Sequence, residues 1–244
     1  MPLFSSIEIE TINRCNGICP FCPVNRNSDT RKYDKMKTEL FMKILDDLEE
    51  IDYKGNISLF SNNEPFLDNR IIDFAKIAKE RLPDARLTIF TNGSLLTLDK
   101  FTEIMKYLDK MVIDNYSDDM KKPKNIIEIL DYCRFHREIK EKVTVAMRKQ
   151  NEVLTTRGGE SPNKKITKTV RCSCILPFQQ FIIRPDGKVS LCCNDALGKV
   201  TLGDVNKNKI ADIWNSETYM NVRKAIFRSR KNVSLCSRCD TVLF

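Results

Sequence analysis

Strand-length and helix-length runs alternate through the first 150 residues, and this alternation limits the fold more tightly than anything else in the chain. Ser5 to Ile12 alternates apolar and polar residues, Ile7 and Ile9 against Glu8 and Glu10, as a strand does. Leu40, Phe41, Ile44, Leu45 and Leu48 then mark one face of a helix, with Thr38 as its N-cap and Glu39 in its first turn. Gly55 precedes a second strand, Asn56 to Ser61, and a second helix runs from about Asn69 to Leu82. Pro83-Asp84 turns the chain into a third strand, Arg86 to Thr91, and Asn92-Gly93 is a turn signal. A third helix from about Leu98 to Leu108 leads to a fourth strand, Met111 to Asp114. A fourth helix, about Asn125 to His136, leads to a fifth strand, Val143 to Met147. Five strands and four helices at this spacing predict right-handed βαβ units around a parallel sheet. Such sheets bind ligands at the carboxyl ends of their strands. The loops expected there are a cysteine-rich segment, Asn62 to Pro65, Asn92-Gly93 and Asn115-Tyr116.

The first of those loops reads Cys15-Asn-Gly-Ile-Cys19-Pro-Phe-Cys22, a C-x3-C-x2-C spacing. Iron–sulfur clusters are normally held by four cysteine thiolates. Three clustered ligands leave one iron without a protein sulfur, open to a small chelating molecule, as the open position of a catalytic zinc accepts water. The plainer alternatives are a zinc knuckle lacking its fourth ligand, or three unrelated buried thiols. The segment does not close a zinc site by itself, and the only histidine, His136, lies far along the chain.

Length, composition and charge narrow the class. A chain of 244 residues makes one large domain, or a core domain with a small appendage. It contains no apolar run of about 18 residues, so no membrane span is expected. The start, MPLFSSIEIE, has neither a basic segment nor an apolar one of secretory type. Ten cysteines without export point to metal chemistry in a reducing compartment, hence the cytoplasm, rather than to a disulfide framework. The net charge of +8 reads as a lysine-rich solvated surface in preference to a nucleic-acid footprint. Part of the excess is local: residues 148 to 171 hold seven Lys or Arg against Glu152 and Glu160. That segment joins the two halves, so an anionic substrate or a carrier-protein partner is a further reading.

From about Asn151 the alternation stops, and six more cysteines follow: Cys172, Cys174, Cys192, Cys193, Cys236 and Cys239. Phe178 to Ile183 and Lys188 to Leu191 flank Pro185-Asp186-Gly187, a hairpin signal that would bring Cys174 and Cys192 near each other. An amphipathic stretch, Ile210 to about Phe227, returns the chain to Cys236-Ser-Arg-Cys239. Two separated cysteine pairs meeting over a hairpin and a helix read as a metal site, and zinc on four thiolates is one occupant. Cys133, on the fourth helix, reads as a small buried apolar residue.

With its cysteine loop directly after a first strand and Phe21 before the third cysteine, the chain resembles the radical S-adenosylmethionine (SAM) superfamily. The resemblance implies an incomplete parallel β/α barrel, although five strands are one short of that family's common six. It implies a [4Fe-4S] cluster on Cys15, Cys19 and Cys22 that binds and reductively cleaves SAM. The family's Gly-Gly-Glu-Pro segment, which holds the SAM amino group, corresponds to Asn62-Asn63-Glu64-Pro65, with both glycines replaced. Asparagine tolerates positive φ better than most residues, so the turn can survive the change. By position Phe21 would contact adenine, Asn63 and Glu64 the methionine end, and Asn92 the ribose or methionine end.

The second half resembles the SPASM/Twitch extension of such enzymes. It has the C-x(n)-G-x4-C opening and a terminal C-x2-C but lacks the middle cysteines. One auxiliary [4Fe-4S] cluster is implied, on Cys174, Cys192, Cys236 and Cys239, with Cys172 and Cys193 left over. The resulting division is a barrel over 1–150, a basic linker over 151–171 and a cluster domain over 172–244. Arg157-Gly158-Gly159 in the linker resembles the Twitch-type aminocyclitol dehydrogenases, in which the arginine touches the substrate. Their aromatic–acidic pair after the second cluster ligand is replaced here by Cys193-Asn194, which implies a different substrate. The expected activity is oxidation of an alcohol on a small sugar-like or cyclitol-like molecule, with the auxiliary cluster accepting the second electron. The expected partner is an electron donor such as flavodoxin or ferredoxin, with neither membrane nor nucleic acid involved. No base for the substrate's proton is visible in the sequence. The rivals are an epimerase, in which Cys193 returns a hydrogen atom; a peptide-modifying enzyme; and a zinc-binding nucleic-acid-associated protein. The peptide reading is weakened because the first strand begins by about residue 5, without a peptide-recognition extension before it.

Overall fold

The structure, a computed structural model, describes residues 3–25 and 29–242. The first half folds as β1 (Ser6–Ile9), α1 (Thr38–Glu50), β2 (Asn56–Ser58), α2 (Ile71–Arg81), β3 (Arg86–Thr91), α3 (Leu98–Ile104), β4 (Lys110–Tyr116), α4 (Lys124–Phe135), a short α5 (Arg137–Lys140) and β5 (Val143–Arg148). The second half holds α6 (Leu176–Gln179), β6 (Gln180–Ile183), β7 (Lys188–Ser190), β8 (Thr201–Asp204), α7 (Ile210–Trp214), α8 (Glu217–Arg228) and α9 (Ser234–Ser237).

One sheet runs through both halves, in the order β5-β4-β3-β2-β1-β6-β7-β8. β1 lies between β2 and β6 and pairs with both in parallel, Ser6 facing Asn56 on one side and Gln180 on the other. β6 is thus a sixth parallel strand supplied by the second half. It then turns antiparallel into β7 through Gly187, whose φ of +82° suits a residue without a Cβ. Because β1 carries the cysteine loop at its carboxyl end and β6–β7 leads to Cys192, the sheet brings the two cysteine regions together.

Both faces of the strands are covered. Ile7 and Ile9 are completely buried, and the buried stripe of α1 (Leu40, Phe41, Ile44, Leu45, Leu48) is one wall of the core. The opposite face of β1 carries Glu8 and Glu10, which the alternation assigns to solvent. Instead it looks into the barrel, where Glu10 is 2% exposed. The seam between the halves is aromatic. Phe4 stacks on Phe181 at 5.3 Å, and Trp214 and Tyr219 close the cluster. Between them the Arg223 guanidinium sits 3.7 Å from the Trp214 ring centre and donates to the carbonyls of Pro177 and Trp214. A delocalised cation that is stacked and hydrogen-bonded tolerates such burial better than an ammonium would.

Element boundaries differ from the pattern in physically explicable ways. Lys37, not Thr38, is the N-cap of α1, because Met36 still donates to the Thr11 carbonyl at 2.8 Å and holds the preceding chain extended. Thr38 instead accepts from Arg70 Nη1. α3 stops at Ile104, and the next residues tighten into three-residue turns that deliver Asp109 to β3, where its carboxylate takes the Leu87 N–H at 2.8 Å. β4 extends through Asn115 and Tyr116, expected in a loop, because β5 pairs with it as far as Arg148. Phe178 is helical rather than part of the hairpin strand, and β8 is an element the pattern does not reveal. Among the described residues, no helix is long and apolar enough to cross a membrane.

Candidate functional site

At the carboxyl ends of the strands lies a cavity of about 360 Å³. Its walls include Cys15, Cys19, Phe21 and Cys22 from the loop after β1, Asn62, Asn63 and Glu64 after β2, and Thr91 and Asn92 at the end of β3. Arg157 and Cys193 close it from the second half, and Glu8, Asp114 and Tyr116 complete its polar lining. All nine first-cavity positions singled out from the sequence therefore meet in one space: Cys15, Cys19, Phe21, Cys22, Asn63, Glu64, Asn92, Arg157 and Cys193.

The cysteine loop is shaped by its own backbone and by asparagines. The Cys22 N–H donates to the Cys19 carbonyl at 3.0 Å. Asn25, at φ +61°, donates from its side chain to the Cys15 and Gly17 carbonyls. Two donors point at Cys15 Sγ: the Gly17 N–H at 3.3 Å and Asn92 Nδ2 at 3.7 Å. Burial raises the Cys15 pKa, and the neighbouring Glu64 and Cys22 add to the rise, while those donors oppose it. Such a thiol ionises when a metal takes its proton's place. Phe21 is buried with its ring 5.2 Å from that of Tyr116, forming an aromatic wall.

The Asn62-Asn63-Glu64-Pro65 segment keeps its turn without positive φ at either asparagine, so the left-handed geometry expected there is not used. Asn63 Oδ1 accepts from the Ser61 N–H, while its buried Nδ2 has no partner among the described residues. A buried donor left in this state is costly unless a ligand meets it. The Glu64 carboxylate, 1% exposed, accepts from Thr91 Oγ1 at 2.7 Å, the Asn92 N–H at 2.8 Å and the Phe66 N–H at 3.2 Å. It therefore locks the loops after β2 and β3 to each other. With about four lone-pair sites on a carboxylate, it has room for one more donor. Its pKa is raised by burial, against those three hydrogen bonds.

Arg157 reaches the cavity from a 3₁₀ turn, Arg157–Gly159, and its Nη1 donates to Asn62 Oδ1 at 3.4 Å. The two glycines explain how. A Cβ at Gly158 would lie 2.6 Å from Leu235 Cγ, and one at Gly159 would lie 2.7 Å from Arg238 Cβ. Both also hold positive φ. The linker thus packs directly on α9 and the residues after it, which carry Cys236 and Cys239. Gly158→Ala is expected to cost about 2–4 kcal/mol, from left-handed strain and overpacking together. A lower thermal midpoint of the anaerobic holoprotein checks this.

The second cysteine set is buried: Cys174, Cys192, Cys236 and Cys239 are each at most 7% exposed. On top of burial, Cys239 raises the pKa of Cys174, Cys192 and Cys236, Cys236 raises that of Cys192, and Cys174 raises that of Cys236. Cys236 is pushed up to about 12 by burial, then by Cys239 and Cys174, while Cys192 feels both Cys236 and Cys239. Cys174 and Cys192 are linked in this way through the C-terminal pair. The buried Arg230, which sequence reasoning missed, spans the set. It donates to the Cys172 and Thr241 carbonyls at 2.8 Å and to Ser173 at 3.2 Å, joining the first and last cysteine segments. No sequence signal marks it among the many basic residues. Cys172 is exposed, whereas Cys193 lines the first cavity from the turn after β7, which the Asp195 N–H closes on the Cys192 carbonyl at 2.9 Å. None of the ten cysteines is in a disulfide.

The acidic groups of the cavity were also missed. Glu8, on the inner face of β1, accepts from Ser61 Oγ at 2.7 Å, and burial pushes its carboxyl up to about 7. Glu10, two residues on, lies outside this cavity beside Arg31 and Arg184, and burial likewise pushes it up to about 7 despite Arg31.

Residues 9–151 match the family model of the radical SAM superfamily, and residues 172–240 match SPASM, an iron–sulfur cluster-binding domain. The chain is 29% identical to the S-adenosyl-L-methionine-dependent 2-deoxy-scyllo-inosamine dehydrogenase of Niallia circulans, over 98% of this chain and 94% of that protein. Among solved structures, BtrN in complex with AdoMet and 2-DOIA superimposes with a TM-score of 0.85 at 26% identity, covering 98% of this chain and 94% of that one. BtrN in an open conformation, at 25% identity and the same coverage, gives 0.73, so the present chain lies nearer the ligand-bound shape.

Proposed function

The chain belongs to the radical SAM superfamily, and on that footing we propose that it oxidises a secondary alcohol of a small polyhydroxylated or amino-substituted ring to a ketone. SAM and its [4Fe-4S] cluster supply a 5′-deoxyadenosyl radical when bound, and the second [4Fe-4S] cluster supplies an acceptor for one electron. The observation that carries the reading is the single cavity bounded by Cys15, Cys19 and Cys22 on one side and by Cys193, next to the buried second set, on the other.

In this reading Cys15, Cys19 and Cys22 hold the first cluster, leaving one iron for SAM. The unpartnered Asn63 Nδ2 and the remaining acceptor site of Glu64 fit the carboxylate and ammonium of a methionine moiety. Asn92 orients the loop beside them, and Phe21 with Tyr116 offers an aromatic wall to adenine. Cys174, Cys192, Cys236 and Cys239 hold the second cluster within residues 172–244, joined to the barrel of residues 1–150 by the linker that supplies Arg157. Arg157 presents fixed donors to substrate hydroxyls. An external one-electron donor such as flavodoxin or ferredoxin completes the turnover.

The relative's name makes 2-deoxy-scyllo-inosamine the first substrate to assay, alongside other cyclitols. Replacement of the relatives' aromatic–acidic pair by Cys193-Asn194 favours a ring with different substituents. With the accepted substrate, anaerobic reaction yields one ketone per 5′-deoxyadenosine. The Cys193 thiol in the cavity favours a second reading, epimerisation by return of a hydrogen atom. In D2O that reaction leaves deuterium on the product carbon and forms no ketone.

A further inference from the structure

We propose that Glu8 is the catalytic base that takes the hydroxyl proton during ketone formation. The proposal rests on the alcohol-oxidation reading. Removing a hydrogen atom from H–C–O–H breaks the C–H bond and forms the C5′–H bond of 5′-deoxyadenosine. The hydroxyalkyl radical left behind becomes a ketone by losing the O–H proton and one electron. The electron goes to the second cluster, the acceptor in that reading. The proton needs a basic atom within reach of the substrate oxygen.

Three carboxyl groups line the cavity: Glu8, Glu64 and Asp114. Glu64 accepts three protein hydrogen bonds and is committed to joining two loops. Asp114 is ion-paired with Arg148, whose Nε lies 3.3 Å from its Oδ1. Glu8 accepts only from Ser61, through Oε2, and its Oε1 has no protein hydrogen bond among the described residues. It stands in the middle of β1, paired in register with Ser58 of β2 and Ile182 of β6, where the two halves of the chain meet. The charged or titratable groups around it are Arg157, Cys193 and Glu10. Arg157 is placed to align the hydroxyl that Glu8 deprotonates. Burial brings the carboxyl to about 7, against the pull of Ser61 and Arg157, so it gains and loses a proton near neutrality. That is where a general base is most effective.

The test compares wild type with Glu8→Gln and Glu8→Asp, using the cyclitol that wild type converts. For Glu8→Gln we expect wild-type iron and sulfide content and SAM cleavage within about twofold. Ketone per 5′-deoxyadenosine should fall about a hundredfold, the lower range for loss of a general base. Freeze-quench electron paramagnetic resonance should show a substrate radical accumulating, and Glu8→Asp should restore most of the ketone. A readout independent of turnover is alcohol binding by calorimetry without reductant. Wild-type affinity should rise as pH passes about 7 and Glu8 ionises to accept the O–H, whereas Glu8→Gln should show no such step. Wild-type coupling and an unchanged binding step in Glu8→Gln would overturn the assignment. Should wild type itself return alcohol carrying solvent deuterium, the oxidation reading fails and the assignment falls with it. Failure of Glu8 alone leaves wild-type ketone formation intact.

Discussion

Cys19→Ala should abolish reductive cleavage of SAM, by at least about a thousandfold, while leaving about four irons per chain on the second cysteine set. The loop holds its shape through backbone and asparagine contacts, notably the Cys22 N–H on the Cys19 carbonyl and Asn25 on the Cys15 carbonyl. Removing the sulfur therefore takes away a cluster ligand and leaves the surrounding backbone in place. Two remaining thiols cannot hold a cubane that normally needs cysteine at three or four irons. Anaerobic reconstitution followed by dithionite, with 5′-deoxyadenosine and iron measured together, checks both halves of the expectation. Residual cleavage near the wild-type rate would remove the loop from the account.

Cys239→Ala should separate the two stages of the reaction. SAM cleavage should persist, because the first cysteine loop is untouched, and ketone formation should fall by at least about a hundredfold for want of an electron acceptor. Cys239 belongs to a buried quartet in which burial and neighbouring thiols raise the pKa of Cys174, Cys192 and Cys236, so without metal those three stay protonated. A cluster there engages four buried cysteines and ties the segment before α6, the end of β7 and the α9 turn into one unit. Metal binding then contributes directly to folding of this region. Cys239→Ala should accordingly lower the thermal midpoint of the holoprotein as well as the ratio of ketone to 5′-deoxyadenosine. If that ratio stayed at the wild-type value, the second cysteine set would have no part in the oxidation.

The C-x3-C-x2-C run, the second cysteine set and the βα alternation were all legible because each is a spacing. Spacing survives into three dimensions whenever local backbone geometry dictates it. Glu8 shows where such reading stops. A period of two places it opposite Ile7 and Ile9, which is correct, but periodicity cannot say what lies on that other face. In an open half-buried sheet it is solvent; here it is the interior of a barrel, and the same glutamate becomes a buried acid in the cavity. Arg230 and Arg223 were hidden for a related reason. Both look like surface charges until the carbonyls and rings that surround them are in place. Asn115 and Tyr116 were assigned to a loop because β4's apolar run ends before them, whereas pairing with β5 carries the strand on. Cys193 was read both as a thiol left over from the second set and as a hydrogen-atom donor, and the turn after β7 sets it in the first cavity.

Iron and acid-labile sulfide counted on anaerobically prepared wild-type protein test the central claim most directly. Two four-iron clusters, one on each cysteine set, predict about eight of each per chain. About four of each, or zinc without sulfide, would contradict it.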